Sequence, residues 1–167
     1  MSMLDDDTLR EVGRFAIEFN TLEEVITMMA GAILECTEWS VAQSLTERLT
    51  DGPKLDRVKQ MCGLLAKAHG LEKTSPHKAL LRQIGIAKGV VSERNAVIHG
   101  ELTVKRGKPP TVQLRKQAVE LSPRALSALV RKIDGVAGGL ATAYLDFMIA
   151  VEESRDATTK KKSRHHT

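Results

Sequence analysis

Ser92-Glu93-Arg94-Asn95-Ala96-Val97-Ile98-His99-Gly100 closes one kind of pattern, and Glu101-Leu102-Thr103-Val104 opens another. Upstream, from the cap-plus-proline pair Ser75-Pro76, apolar residues recur at helical spacing: Ile84, Ala87, Val90, Val91, Val97 and Ile98. Gly100 stands where a left-handed terminator belongs. Beyond it the period becomes two. Leu102-Thr103-Val104 and Thr111-Val112-Gln113-Leu114 flank Lys105-Arg106-Gly107-Lys108-Pro109-Pro110, which predicts a β-hairpin with a basic, Gly/Pro-containing tip at about 101–115. A helix that ends in a short hairpin, rather than in another helix, decides the fold.

Outward from this junction the remaining pattern is helical. Asp5-Asp6-Asp7-Thr8 supplies capping oxygens and the negative charge that suits a helix N-terminus. A helix over about 7–36 then carries Val12, Phe15, Ala16, Phe19, Leu22, Ile26, Met29, Ala30 and Ile33 on one stripe. Thr37 to Leu49 predicts a short helix bearing Trp39, Val41, Leu45 and Leu49. Asp51-Gly52-Pro53 is a turn that places Pro at the first position of a second long helix. That helix runs to about His69, with Leu55, Val58, Met61, Cys62 and Leu65 inward and Gly70 closing it. Ser122-Pro123 opens the last helix, whose apolar positions are Leu126, Leu129, Val130, Ile133, Val136, Leu140, Tyr144, Phe147 and Met148. Gly135, Gly138 and Gly139 suggest close approach or a bend within it. The expected fold is all-α: an up-and-down bundle of four main helices plus a short helix, with a small β-hairpin before the last helix. It occupies 1–151, and the charged, polar stretch 152–167 is expected to be a disordered tail.

Composition narrows the function classes. The 167 residues are 42% hydrophobic with a net charge of +4, ordinary for one globular domain. The mild basic excess permits a nucleic-acid partner without demanding one. Uncharged runs are shorter than a membrane span needs, the longest being Gly135 to Leu145, and the first residues are acidic where a signal peptide would be basic. Cys36 and Cys62 have neither metal-ligand spacing nor the makings of a disulfide framework. A cytoplasmic protein with no membrane partner is expected. No phosphate loop or dinucleotide fingerprint is present, and no metal or other cofactor is expected.

One constellation carries chemistry. Arg94 falls in the middle of an apolar stripe, where an unpaired guanidinium would cost on the order of several kcal/mol. Asn95 and His99 are four residues apart on a neighbouring face, with Ser92 beside them. The first helix offers the complement: Glu23 borders its stripe between Phe19 and Ile26, and Asn20 lies at the flank. Glu23 is the expected partner of Arg94, with Glu24 its competitor.

Arg94-Asn95-Ala96-Val97-Ile98-His99, near the end of the third long helix of an all-α chain, resembles the Arg-x4-His motif of the HEPN superfamily (higher eukaryotes and prokaryotes nucleotide-binding). The motif covers six residues, and the bundle resembles that fold over roughly 5–150. The hairpin is an addition to the simplest such bundle. The resemblance implies metal-independent RNA cleavage, with Arg94 on the scissile phosphate, His99 transferring protons and Asn95 orienting His99 or touching phosphate. It also implies a toxin or defence role, with an antitoxin or nucleotidyltransferase as partner. The chemistry is sound: an RNA 2′-hydroxyl attacks its own phosphorus, which needs a proton acceptor, a proton donor and positive charge, and imidazole with guanidinium supplies them. Because two protons move and the chain has one such histidine, a homodimer placing two copies of His99 at one cleft is expected. The resemblance implies the same, and Gly85 and Gly89 suit close approach within or between chains.

Other readings stand beside this one. Arg94 can serve only to fix helix register, and the bundle can bind a protein or nucleotide partner without cutting RNA. Lys105, Arg106, Lys108 and Arg115, with Lys116, form a basic cluster that is either a solvated turn or a phosphate-steering surface. His69 and His77 read as surface or capping residues, and His165-His166 as a tail remnant. Met28, Met29, Met61 and Met148 read as core filler, and Asp134 and Asp146 are too isolated for paired acid–base work.

Overall fold

The computed structural model of the protein describes residues 4–33 and 51–163. Among them are four helices, α1 (Asp6–Ile33), α2 (Asp51–Ala68), α3 (Ser75–His99) and α4 (Pro123–Ser163). Three strands lie before the last helix: β1 (Glu101–Thr103), β2 (Thr111–Leu114) and β3 (Gln117–Glu120). The molecule is mostly helical, as expected, and its helices pack against each other. The short helix expected over 37–49, with Trp39, and the positions of Cys36, His165 and His166 lie outside the described residues. Contacts divide the chain into two compact units, Met1–Val25 with Ile86–Ala137 and Ile26–Gly85 with Gly138–Thr167.

In the first unit, Asp5 caps α1: its Oδ1 accepts from the Thr8 amide at 2.7 Å, which holds the Asp5 carboxyl below its ordinary range. Phe15, Phe19 and Leu22 of α1 are buried, as are Ala87, Val90, Val91 and Ala96 of α3 and Leu126, Val130 and Ile133 of α4. Ala16 and Ile98, expected in the stripes, are exposed. The Ser127 hydroxyl donates to Glu11 at 2.7 Å, and Lys132 bonds both oxygens of Glu93 at 2.7 and 2.8 Å.

The hairpin is larger than the sequence predicts. β1 pairs antiparallel with β2 (Leu102 opposite Val112), and β2 pairs antiparallel with β3 (Val112 opposite Val119). Val112, Leu121 and Leu126 form a small core against which Leu4, Val12, Val97 and Val119 pack, so the sheet is seated on helix ends. β3 escapes sequence reading because its two-residue connection is Arg115-Lys116, which lacks the Asn-Gly or Gly-X signature of such turns. Arg115 holds φ 55, a left-handed conformation that favours glycine. Arg115→Gly is therefore expected to raise stability by about 1 kcal/mol, read as a higher urea midpoint. A lower midpoint would mean that the Arg115 side chain contributes more than its backbone strain removes.

Gly100 is not left-handed. The positive-φ glycines are Gly70 and Gly107. The Gly100 amide still donates to Ala96 O at 2.8 Å, and a Cβ there would run into that carbonyl and into the Gln113 backbone. Close approach, not handedness, requires glycine at this position.

In the second unit, Gly70 (φ 67) ends α2 as expected: Leu71 N donates to Ala66 O and Gly70 N to Lys67 O, the paired bonds of a Schellman motif. α2 begins at Asp51, so Pro53 sits within the first turn instead of at its first position; a missing amide there is harmless. Met29, Leu55, Val58, Cys62, Leu80, Leu140 and Phe147 are buried, but Met28 is 53% exposed and is no core filler. A Cβ on Gly139 would meet the Gln83 side chain at 3.2 Å; among the described residues Gly135 and Gly138 have no such neighbour. The expected tail is helical through Ser163. Glu152–Arg155 pairing at 2.7 Å and a Thr158 hydroxyl bond to Ser154 O support it, and charged residues without Gly or Pro do not end a helix. A window within Pro123–Thr158 reaches a mean hydropathy of 1.2, the length and composition of a membrane-crossing helix, which counting uncharged runs overlooked. Its Leu126, Ile133, Leu140 and Phe147 are buried in the fold, as in a core helix.

His77 is buried, not a surface residue: its Nδ1 donates to Glu72 O at 3.1 Å, and its ring lies 5.6 Å from that of Phe147. Burial also raises Cys62 from 9.0 and Tyr144 from 10.0, each to about 12, the nearby Cys62 adding to the effect on Tyr144. Both groups stay neutral in the fold and ionise in the unfolded chain first. Their stabilisation is thus complete below about pH 9 and lost as pH rises toward 12. The urea midpoint is expected to hold to about pH 9 and then fall steadily toward pH 12. Tyr144→Phe removes a buried hydroxyl that has no hydrogen-bond partner among the described residues and should make that fall shallower, Cys62 supplying the remainder. An unchanged alkaline profile in that variant would refute the assignment.

Candidate functional site

The final turns of α3 carry the motif, and three interactions orient them. Lys132 draws Glu93 toward α4. Arg94, next along the chain, lies with its guanidinium carbon 5.1 Å from the centroid of the Phe19 ring on α1, a cation–π contact. Its Nη1 donates to Asn95 Oδ1 at 3.2 Å. The guanidinium has donors only, so Asn95 must present its oxygen to Arg94, leaving its NH₂ as a donor for another group.

Arg94 and Asn95 are half-buried and His99 is exposed. Among the described residues, the His99 ring has no hydrogen-bond partner. The structure thus brings Arg94 and Asn95 together and leaves His99 as an open imidazole one turn further, where α3 gives way to β1. Ser92 is exposed, and its hydroxyl donates back to Lys88 O at 3.1 Å within the helix. Asn20 and Glu24 are exposed, while Glu23 is half-buried and itself engaged. Among the described residues the guanidinium contacts Phe19 and Asn95. Sequence reading placed Phe19 only in the core; an aromatic on the facing stripe at the level of an inward Arg was the available signal.

Exposed apolar residues flank His99 along the chain, Ile98 at 43%, Leu102 at 38% and Val104 at 54%, with exposed Glu101 and Thr103 between them. Gly85 and Gly89 lie on the exposed side of α3 and meet no close approach among the described residues. Of the basic cluster, Lys105, Arg106, Lys108 and Arg115 are all exposed. Lys105 and Lys108 bracket a turn closed by Lys108 N donating to Lys105 O at 3.1 Å, with Gly107 at φ 72 in its third position. Arg115 belongs to the other connection, between β2 and β3. Compared with protein-family models, curated proteins and solved structures, the chain matches none of them.

Proposed function

We propose that this protein is a HEPN-like, metal-independent endoribonuclease of the cytoplasm, a toxin or defence protein with an antitoxin or nucleotidyltransferase partner. The observation that carries the reading is the pre-positioned guanidinium: Arg94 is fixed by Phe19 and Asn95 on the turn before an open imidazole, His99. Arg94 neutralises the phosphorane, and the Asn95 NH₂, which has no partner among the described residues, donates to a phosphate oxygen. One imidazole takes the 2′-hydroxyl proton as its oxygen bonds to phosphorus. A second gives a proton to the departing 5′-oxygen, leaving a 2′,3′-cyclic phosphate. Two copies of His99 in a homodimer supply both groups, and the exposed apolar residues near it in the chain, Ile98, Leu102 and Val104, suit such an interface. Cleavage of RNA in the presence of EDTA, with identification of the product ends, tests the chemistry.

Mixed dimers test the sharing. A heterodimer of wild type with His99→Ala has one imidazole at the shared cleft, and its activity is expected to fall below a tenth of the wild-type dimer. Half activity, as from independent sites, or a fully active monomer on sedimentation, would exclude the composite site.

A non-catalytic bundle that binds a protein or nucleotide partner is favoured by one observation: Arg94 already has structural contacts that give it a role without substrate.

A further inference from the structure

The register of β1 and β2 sets Thr103 directly opposite Thr111, and Glu101 opposite Gln113. Side chains two apart on a strand share a face, and Val112, on the alternate face, is buried in the small core. Thr103, Thr111 and Gln113 therefore face outward. The turn over Lys105 to Lys108 folds the tip back beside this face, and the result is a shallow recess of about 190 Å³. It is lined by Thr103, Lys105, Lys108, Pro109, Thr111 and Gln113. Two lysines, two threonines and a glutamine line it, and among the described residues no carboxylate belongs to the lining; Glu101, opposite Gln113 on the same face, borders it. Glu120, opposite Thr111 on β3, accepts a hydrogen bond from the Ser122 hydroxyl at 2.6 Å. The recess is smaller than the roughly 300 Å³ at which drug-sized ligand pockets begin, so it suits a single tetrahedral group and not a base.

We infer that this recess is a phosphoryl-binding subsite that holds one backbone phosphate of an RNA strand. Lys105 and Lys108 supply charge, and Thr103 and Thr111 donate hydroxyl hydrogen bonds. The inference rests on the RNA reading above and adds the position of the strand. Thr103 is four residues past His99, so their Cα atoms lie within about 14 Å of each other whatever the path between them. A strand seated in the recess therefore extends toward the end of α3 within a few nucleotides. The recess also sorts the basic cluster, because Arg106, Arg115 and Lys116 do not line it.

The test uses the full chain and a 2′-O-methylated oligoribonucleotide, which binds but cannot be cut. Lys105→Ala/Lys108→Ala is expected to weaken oligonucleotide binding at least tenfold at low salt. It should also reduce the slope of log K against log salt by about 1–2. Thr103→Val/Thr111→Val, which keeps side-chain shape, should weaken binding several-fold and leave the slope unchanged. Oligonucleotide should shift the Thr103 and Thr111 amide resonances, with Arg106→Ala having the smaller effect. Equal losses from Arg106→Ala and Lys108→Ala would mean a diffuse charged surface and overturn the subsite. Saturable shifts with inorganic phosphate but none with oligonucleotide would assign the recess to a free anion and overturn the RNA occupant. Because the probe is uncleavable, binding with these signatures in a protein that cuts no RNA would refute the ribonuclease alone. Cutting that persists undiminished in the double lysine variant would refute the subsite alone.

Discussion

His99→Ala is expected to lower RNA cleavage in EDTA by roughly 10²–10⁴-fold, the usual contribution of a positioned acid–base group. The ring is exposed and has no hydrogen-bond partner among the described residues, so its removal takes nothing from the core. The urea midpoint should stay within about 0.5 kcal/mol of wild type, as for surface substitutions in general. That separation of activity from stability is unavailable at Arg94, which packs on Phe19 and bonds Asn95. There, Arg94→Lys is the informative change, because it keeps the charge and loses the planar fork that meets ring, amide and phosphate together. Products should end in 2′,3′-cyclic phosphate, and a 2′-deoxy nucleotide at the scissile position should block cutting. Cleavage that needs added Mg²⁺, or that survives in His99→Ala, would remove the mechanism. Loss of cutting together with loss of fold would return His99 to a structural role.

Where the sequence carries a strong local signal, the structure follows it. The change of period after Gly100, the Asp5 cap and the left-handed Gly70 all have local physical causes and lie where expected. The departures are of another kind. β3 follows the turn Arg115-Lys116, in which Arg115 takes a left-handed φ that its residue type does not advertise. Residues 152–163 are polar enough to resemble a tail, yet polarity on every face does not prevent a helix that begins as the packed length of α4. Ile98 and Met28 satisfy an apolar stripe by spacing and are exposed all the same, because period reports a face and not what covers it. At the candidate site, proximity of Asn95 to Arg94 follows from adjacency, but the Phe19 ring beneath the guanidinium depends on how α1 and α3 align. A single sequence does not carry that alignment.

Gly100→Ala is expected to destabilise the protein by about 3 kcal/mol, the upper end of the overpacking range, and to lower Tm by roughly 6–12 °C. An added Cβ would run into the Ala96 carbonyl oxygen and would also stand 3.1 Å from both the amide nitrogen and the carbonyl oxygen of Gln113. All three neighbours are backbone and none can rotate away. Ala96 O is held by the Gly100 amide itself, and Gln113 by its pairing opposite Glu101. Relief thus requires α3 and the sheet to move apart, disturbing the packing of Val97 near Val112 and Leu121. Two controls isolate the cause. Gly13 on α1 has nothing within 4 Å of a built Cβ, so Gly13→Ala should stabilise by about 0.5–1 kcal/mol through helix propensity. Gly70 also has open space but φ 67, so Gly70→Ala should cost about 1–2 kcal/mol from handedness alone. If Gly100→Ala behaves like Gly13→Ala, the close approach is not real. If the order holds, the same substitution also bears on function: it moves the residue after His99 without touching any reacting group. Under native conditions its residual cleavage should then fall by more than its unfolded fraction explains, because His99 is aimed by the junction that Gly100 permits.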